Sequence, residues 1–268
     1  MNWDYLFRKY TSSLRSLPDF LIVGAQKAGT TSLLYYLSQH PDVYVSPRKE
    51  INYFNLEVHR PLSEYRHYFP LKIQRLFHKN LKAGEATPDY MIYSQVPEAI
   101  AKVLPDVKII MLLRNPADRV FSHYGHNLMM KREWLSLEDA LKYEDVRTGK
   151  DYIDIYKCKK DAIKNYSNYN YKARGLYYEQ VEWFLQHIDK SNLLILQSEE
   201  FFKNTLPSVN ETLRFLGLTA VKSLNAEPQN QQQAKVEKNE SIRNELIRFY
   251  EPYNEKLFAL IAKRFDWK

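Results

Sequence analysis

With 268 residues, 44% of them hydrophobic, the chain is long enough to enclose a sizeable core in one large domain, which excludes a disordered or low-complexity protein. Its one cysteine, Cys158, excludes an intramolecular disulfide and a cysteine-built metal centre. Lys and Arg number 39 against 32 Asp and Glu, and the net charge of +7 favours anionic partners, although most of these basic side chains belong on a solvated surface.

The first twenty residues, MNWDYLFRKYTSSLRSLPDF, lack the apolar centre of a secretion signal, and no run of 18 apolar residues occurs anywhere. A soluble, cytoplasmic protein without a membrane partner is therefore expected, with residues 1–17 as an extension ahead of the fold. Residues 19–23 are apolar and predict a buried strand, followed by a glycine loop and a helix over 30–39. Residues 43–45 are extended, 47–54 form a loop or strand edge returning toward the first strand, and 82–90 are a short turn-bounded segment. A helix over 95–103 leads to the β-branched, apolar run 107–113, the next strand. Helices follow over 118–130, 137–143 and 176–188, then a third apolar strand over 192–197 and helical cover over 206–216 and 239–265. Strands alternating with helices imply an α/β fold with a mainly parallel sheet covered on both faces and ligands at the C-terminal strand ends. Two stretches read as mobile loops. One is 144–174, crowded with tyrosine and lysine, and the other is 224–238, which contains QNQQQ.

The stretch DFLIVGAQKAGTTSL carries the first chemical signal. Gly24 and Gly29 keep the spacing of a GxxxxGK[ST] nucleotide loop, but the residue after Gly29 is Thr30, and the only lysine, Lys27, stands three positions earlier. The anion cradle survives this change, because the amides of Gly29, Thr30 and Thr31 point out of a helix N-terminus. Lys27 then lies over the mouth of the loop, near the end of a diphosphate-like group, and a phosphosulfate has that size. A kinase or NTPase would instead require lysine at position 30 and an acidic magnesium ligand closing a strand. A non-catalytic polyanion-binding module would show a flat basic stripe without a nucleotide pocket.

PDFLIVGAQKAGTTSLLYYLSQHP resembles the 5′-phosphosulfate-binding loop of sulfotransferases that use 3′-phosphoadenosine 5′-phosphosulfate (PAPS), in particular the heparan-sulfate-type branch. KIIMLLRNPADRVFSHY, about 90 residues on, resembles that family's 3′-phosphate-binding block. GLYYEQVEW and the stretch from SEEFF through FLGL extend the similarity over nearly the whole chain. The resemblance implies one sulfotransferase domain over 1–268 with a P-loop-like three-layer sandwich. It also implies PAPS as co-substrate, adenosine 3′,5′-bisphosphate (PAP) as product, and no metal or nucleic acid.

Site residues follow from the matched positions. Gln26, Lys27, Ala28, Gly29, Thr30, Thr31 and Ser32 surround the phosphosulfate, with Lys27 the catalytic lysine and Thr31 alternatively a helix cap. Arg114 and Ser122 grip the 3′-phosphate. Glu50 in KEINYF matches the glutamate of a K-E-x-x-F-F context and is the candidate base, with His126 or His123 in SHYGH as the alternative. Tyr53, together with Thr87 and Tyr90 of GEATPDY and with His123, is expected to contact the acceptor, a small-molecule natural product or saccharide offering a hydroxyl or amine. Two departures stand out: Ala86 replaces a lysine common in relatives, and NQQQAKVEK lacks their basic GR lid, leaving Lys235 and Lys238 as substitutes.

Overall fold

A computed structural model describes residues 3–56, 60–149, 153–155, 157–225 and 239–267. Its centre is Phe20–Gly24 (β1), buried at every position, beside Lys108–Leu113 (β4), buried at all but its first residue. A strand that hides consecutive residues must be covered on both faces, which explains why these segments read as unbroken apolar runs. Val43–Val45 (β2), Lys82–Ala86 (β3) and Leu193–Gln197 (β5) complete a five-stranded sheet in the order β2-β3-β1-β4-β5, with every pairing parallel. The expected α/β architecture is therefore present. It is held by a continuous apolar core that includes Ile22, Leu33, Ile110, Phe184, Phe201 and Leu213.

The order of the strands decides where a ligand can sit. After β1 the chain turns toward β2 on one side, and after β4 it turns toward β5 on the other. Two loops diverging in this way leave a crevice at the C-terminal ends of β1 and β4.

Two expectations need correction. Residues 82–86 were expected only as part of a turn-bounded segment, yet β3 is an inner strand between β2 and β1. Its sequence, KAGEA, has no β-branched residue and so no strand signature. Its small residues are required by packing, since a Cβ at Gly84 would lie 2.4 Å from the Phe20 ring of β1. The segment 144–174 is not a loop either: it holds helices Glu144–Thr148 and Lys160–Tyr169 and a 3-10 turn Ala173–Gly175. Ile163 and Tyr166 supply a buried helical face among the lysines, and the buried Glu144 carboxylate closes the segment by accepting the backbone N–H groups of Lys172 (2.7 and 2.9 Å) and Ala173 (3.0 Å). For residues 47–54 the loop alternative is the one present, and it leads into a helical turn, Tyr53–Leu56.

Ahead of β1, helix Trp3–Tyr10 (α1) and the 3-10 turn Ser12–Leu14 lead into a short stretch bonded to residues 69 and 70 of the domain. Arg15 donates from Nη1 to the Phe69 carbonyl (2.7 Å) and the Ser16 amide donates to Pro70 (2.9 Å). The part of residues 1–17 nearest β1 is thus docked to the domain and does not stand apart as an extension. Residues 226–238, which hold Lys235, Lys238 and nearly all of the expected 224–238 loop, lie outside the described residues.

Candidate active site

The loop after β1 is shaped by two residues in the left-handed region, Lys27 (φ 67°) and Gly29 (φ 102°). Gly29 is the N-cap of helix Thr30–Leu37 (α2) and has no side chain with which to cap it. Thr31 is accordingly not the cap, and the first-turn amides of Thr30, Thr31 and Ser32 have no partner within the helix. The loop's carbonyls, in contrast, are taken up from outside. Ser198 Oγ donates to Ala28 O at 2.7 Å and Arg114 Nη1 donates to Lys27 O at 3.1 Å. Carbonyls held by neighbours and amides left unbonded make a cradle for an anion.

Arg114 follows β4 directly, so its bond to Lys27 joins the two sequence blocks across the crevice. Its backbone is held by Tyr177, whose hydroxyl donates to Arg114 O at 3.1 Å, while Asn115 caps helix Pro116–Met129 by accepting the Ala117 amide at 3.0 Å. Ser122 is buried on that helix. Burial lowers the Lys27 pKa, Arg114 and Lys49 lower it further, and Glu50 opposes them. Lys27, Arg114, Lys49 and Glu50 therefore share one electrostatic field, and the Gln26 Oε1 atom is buried beside it without a hydrogen-bond partner.

Glu50 (φ 52°) and Asn52 (φ 59°) are also left-handed, and Asn52 Nδ2 donates to Glu50 O at 2.8 Å. The Glu50 side chain is exposed. Loss of hydration raises its carboxyl pKa, Asp89 raises it further, and Lys49, Arg174 and Arg132 pull it down. His126, half-buried, is pushed down to about 4, first by desolvation and then by Lys27, Arg132 and Lys49. It is neutral at pH 7.

What holds Glu50 in place is a residue the sequence reading passed over. Glu85, at the end of β3, is completely buried and accepts from Thr87 Oγ1 (2.6 Å), Tyr65 OH (2.9 Å) and Tyr90 OH (3.0 Å), and also from the Ile51 amide. Thr87 and Tyr90 in turn accept the amides of Asn52 (3.5 Å) and Tyr53 (2.9 Å). Every group around this carboxylate is a donor, so the loop beside Glu50 hangs from one buried acceptor.

Four residues expected at the acceptor face inward instead. Thr87 and Tyr90 belong to the Glu85 network, and Tyr53 is buried, stacked on Tyr65 at 4.5 Å with its hydroxyl on Arg60 O. His123 is wholly buried against Tyr171, with centroids 4.7 Å apart, and lies between Arg119 and Asn127. Burial drives its pKa well down, with Arg174 and Arg119 adding to the fall, which removes it as a surface base. Asp89 and Arg174 were also missed. They form a largely buried pair at 2.9 Å, and Ser167 Oγ donates to the other Asp89 oxygen at 2.6 Å.

The model of the sulfotransferase domain matches residues 17–264. The chain belongs to the sulfotransferase domain family. Both blocks of the resemblance to PAPS-dependent enzymes lie inside that match. A solved sulfotransferase from Alicyclobacillus acidocaldarius is 30% identical, with a TM-score of 0.72 over 93% of this chain and 98% of that one. Membrane-associated sulfotransferase kil1 of Dictyostelium discoideum is 25% identical over 95% of this chain and 67% of its own length. Mouse heparan sulfate glucosamine 3-O-sulfotransferase 3B1 is 24% identical over 94% of this chain and 65% of its length. Human bifunctional heparan sulfate N-deacetylase/N-sulfotransferase 2 is 33% identical over 76% of this chain, a span of 22% of that protein. The chain thus spans two thirds or less of these curated relatives. Among the described residues no helix is long and apolar enough to cross a membrane.

Replacing Glu85 by Gln turns an NH₂ group toward hydroxyl and amide donors whose hydrogen bonds this carboxylate now accepts. We expect this sulfotransferase variant to lose about 1–3 kcal/mol of stability, measured by urea unfolding. Its kcat should fall while PAP affinity is retained, because the loop that moves carries Glu50 and not the phosphate cradle.

Proposed function

We propose that this chain transfers a sulfonate group from PAPS to a hydroxyl or amine by in-line displacement. The observation that carries the reading is the Arg114–Lys27 carbonyl bond, which sets a guanidinium and an anion cradle side by side at the switch point of the sheet. In this reading the amides of Thr30, Thr31 and Ser32, with Gln26, Ala28 and Gly29 shaping the loop, hold the 5′-phosphosulfate. The Nε/Nη2 edge of Arg114, assisted by Ser122, holds the 3′-phosphate through a bidentate contact.

Bond changes balance without a covalent enzyme intermediate. The acceptor oxygen or nitrogen forms a bond to sulfur as the bond from sulfur to the bridging 5′-phosphate oxygen breaks, and PAP leaves. Lys27 stabilises the charge growing on that bridging oxygen. Glu50 takes the acceptor proton, and its raised pKa brings it nearer to the hydroxyl or amine it must deprotonate. His126, neutral and within the field of Lys27, serves as a hydrogen-bonding group near the transferring sulfonate. Lys49 and Arg132 border the cleft where the acceptor arrives. The named relatives include one O- and one N-sulfotransferase of a saccharide, so a saccharide stands beside a small-molecule natural product as acceptor class, and the cytoplasm is the proposed compartment.

Two measurements test this. Calorimetry without metal should show PAP binding and no comparable binding of ATP with magnesium, and Arg114→Ala should weaken PAP roughly 10- to 150-fold; selectivity for ATP with magnesium would instead identify a nucleotide kinase or NTPase. The pH profile of kcat should also carry an acid limb. A raised carboxyl pKa means that Glu50 keeps its proton to higher pH, so activity should fail on acidification above the ordinary glutamate range of about 4.3, and Glu50→Gln should abolish turnover. A limb near 4 that survives the substitution would assign the proton transfer to His126.

A further inference from the structure

Fifteen large apolar side chains are exposed among the described residues, and seven of them fall in two segments that touch. In the first, Trp3, Phe7, Tyr10 and Leu14 recur at i, i+4, i+7 and i+11 along α1 and the turn after it, exposed by 75, 56, 82 and 61%. In the second, Ile73, Leu76 and Phe77 recur at i, i+3 and i+4 on and beside the helical turn Gln74–Phe77, exposed by 56, 72 and 80%. The Lys72 amide donates to Leu14 O at 2.8 Å and Arg15 bridges to Leu71, so the two stripes adjoin. Two helical elements that both present their apolar stripe to water, side by side, form a surface that needs a cover.

We propose that this surface docks on an anionic lipid bilayer. Residues 3–15 and 71–80 carry Arg8, Lys9, Arg15, Lys72, Arg75 and Lys79 against the single acid Asp4. Asp4 engages Arg8, Asp19 engages Arg75 and Arg15 is buried on the Phe69 carbonyl, which leaves Lys9, Lys72 and Lys79 as exposed cations around the apolar patch. Tryptophan, tyrosine and phenylalanine flanked by lysine suit the boundary between headgroups and acyl chains, where the rings enter and the ammonium groups meet anionic headgroups. A second copy of the chain is the poorer occupant, because a two-fold contact would press one lysine rim onto another.

The placement is compatible with catalysis. These segments lead into the starts of β1 and β3, and Arg8 Nη1 bonds to Tyr44 OH on β2 (2.9 Å), whereas the anion cradle leaves the far end of β1, about 16 Å along the strand. A bilayer on this face leaves the donor and acceptor crevice open to water, so the enzyme would be held near its acceptors without being blocked. This inference is independent of the chemistry proposed above and uses none of its residues.

The test is co-sedimentation of the full chain with vesicles of phosphatidylcholine alone and of phosphatidylcholine mixed with phosphatidylglycerol, at low and high salt. Binding is expected to the mixed vesicles only and should weaken with salt. Lys9→Ala, Lys72→Ala and Lys79→Ala should each weaken it about fivefold, and the pair Leu76→Ser with Phe77→Ser by about tenfold or more. The melting temperature and PAP affinity of each variant, measured in parallel, should match those of the parent. Absence of binding to the mixed vesicles, binding that ignores both salt and the lysines, or light scattering showing a dimer dissolved by the same apolar substitutions would each overturn the proposal.

Discussion

One hydrogen bond joins the two halves of the candidate site: Arg114 Nη1 on the carbonyl of Lys27. A loop between a strand and a helix can offer a ligand its carbonyls or its amides, and only the amides attract a phosphate. Here two consecutive carbonyls, those of Lys27 and Ala28, are bound by Arg114 and Ser198, so the amides at the start of α2 remain for the ligand. The same bond ties the end of β4 to the end of β1, and these are the two strands whose following connections diverge. Burial and the positive charge of Arg114 and Lys49 then depress the Lys27 pKa, an environment that gains when an anion enters it.

A second constraint acts on the loop that carries Glu50. A carboxylate as buried as Glu85 is tolerated only when donors surround it, and Tyr65, Thr87, Tyr90 and the Ile51 amide do so. That arrangement fixes two left-handed residues, Glu50 and Asn52, in a loop that would otherwise have little reason to adopt them. The domain therefore has one glutamate holding the loop from inside and another presented by it to the cleft. Their environments raise both pKa values for the same leading reason, desolvation, but Glu85 is fully buried whereas Glu50 is exposed.

Much of this was legible in the residues. β1 and β4 announce themselves as unbroken apolar runs because both their faces are covered, and Gly24, Lys27, Gly29 and Arg114 are tied to spacing that survives folding. β3 was not legible, since an inner strand made of KAGEA relies on smallness to admit Phe20, and smallness carries no strand signature. Misjudging β3 hid Glu85, because a glutamate at the end of a buried strand looks like any turn carboxylate until its partners are known. The same cause misplaced Thr87 and Tyr90: their motif was recognised, but which way a side chain points depends on that strand's register. For SHYGH the resemblance favours His126 as the secondary base and gives His123 to the acceptor; on the helix His126 lies in the field of Lys27, whereas His123 turns into the core.

The central claim is that cradle and guanidinium hold the two ends of one adenosine bisphosphate. A crystal structure of the chain with PAP tests it most directly. The 5′-phosphate is expected within about 2.7–3.2 Å of the amides of Thr30, Thr31 and Ser32 and the 3′-phosphate against Arg114 and Ser122, with the Arg114–Lys27 bond intact. A nucleotide bound with its 3′-phosphate away from Arg114, or with its 5′-phosphate outside the loop after β1, would contradict it.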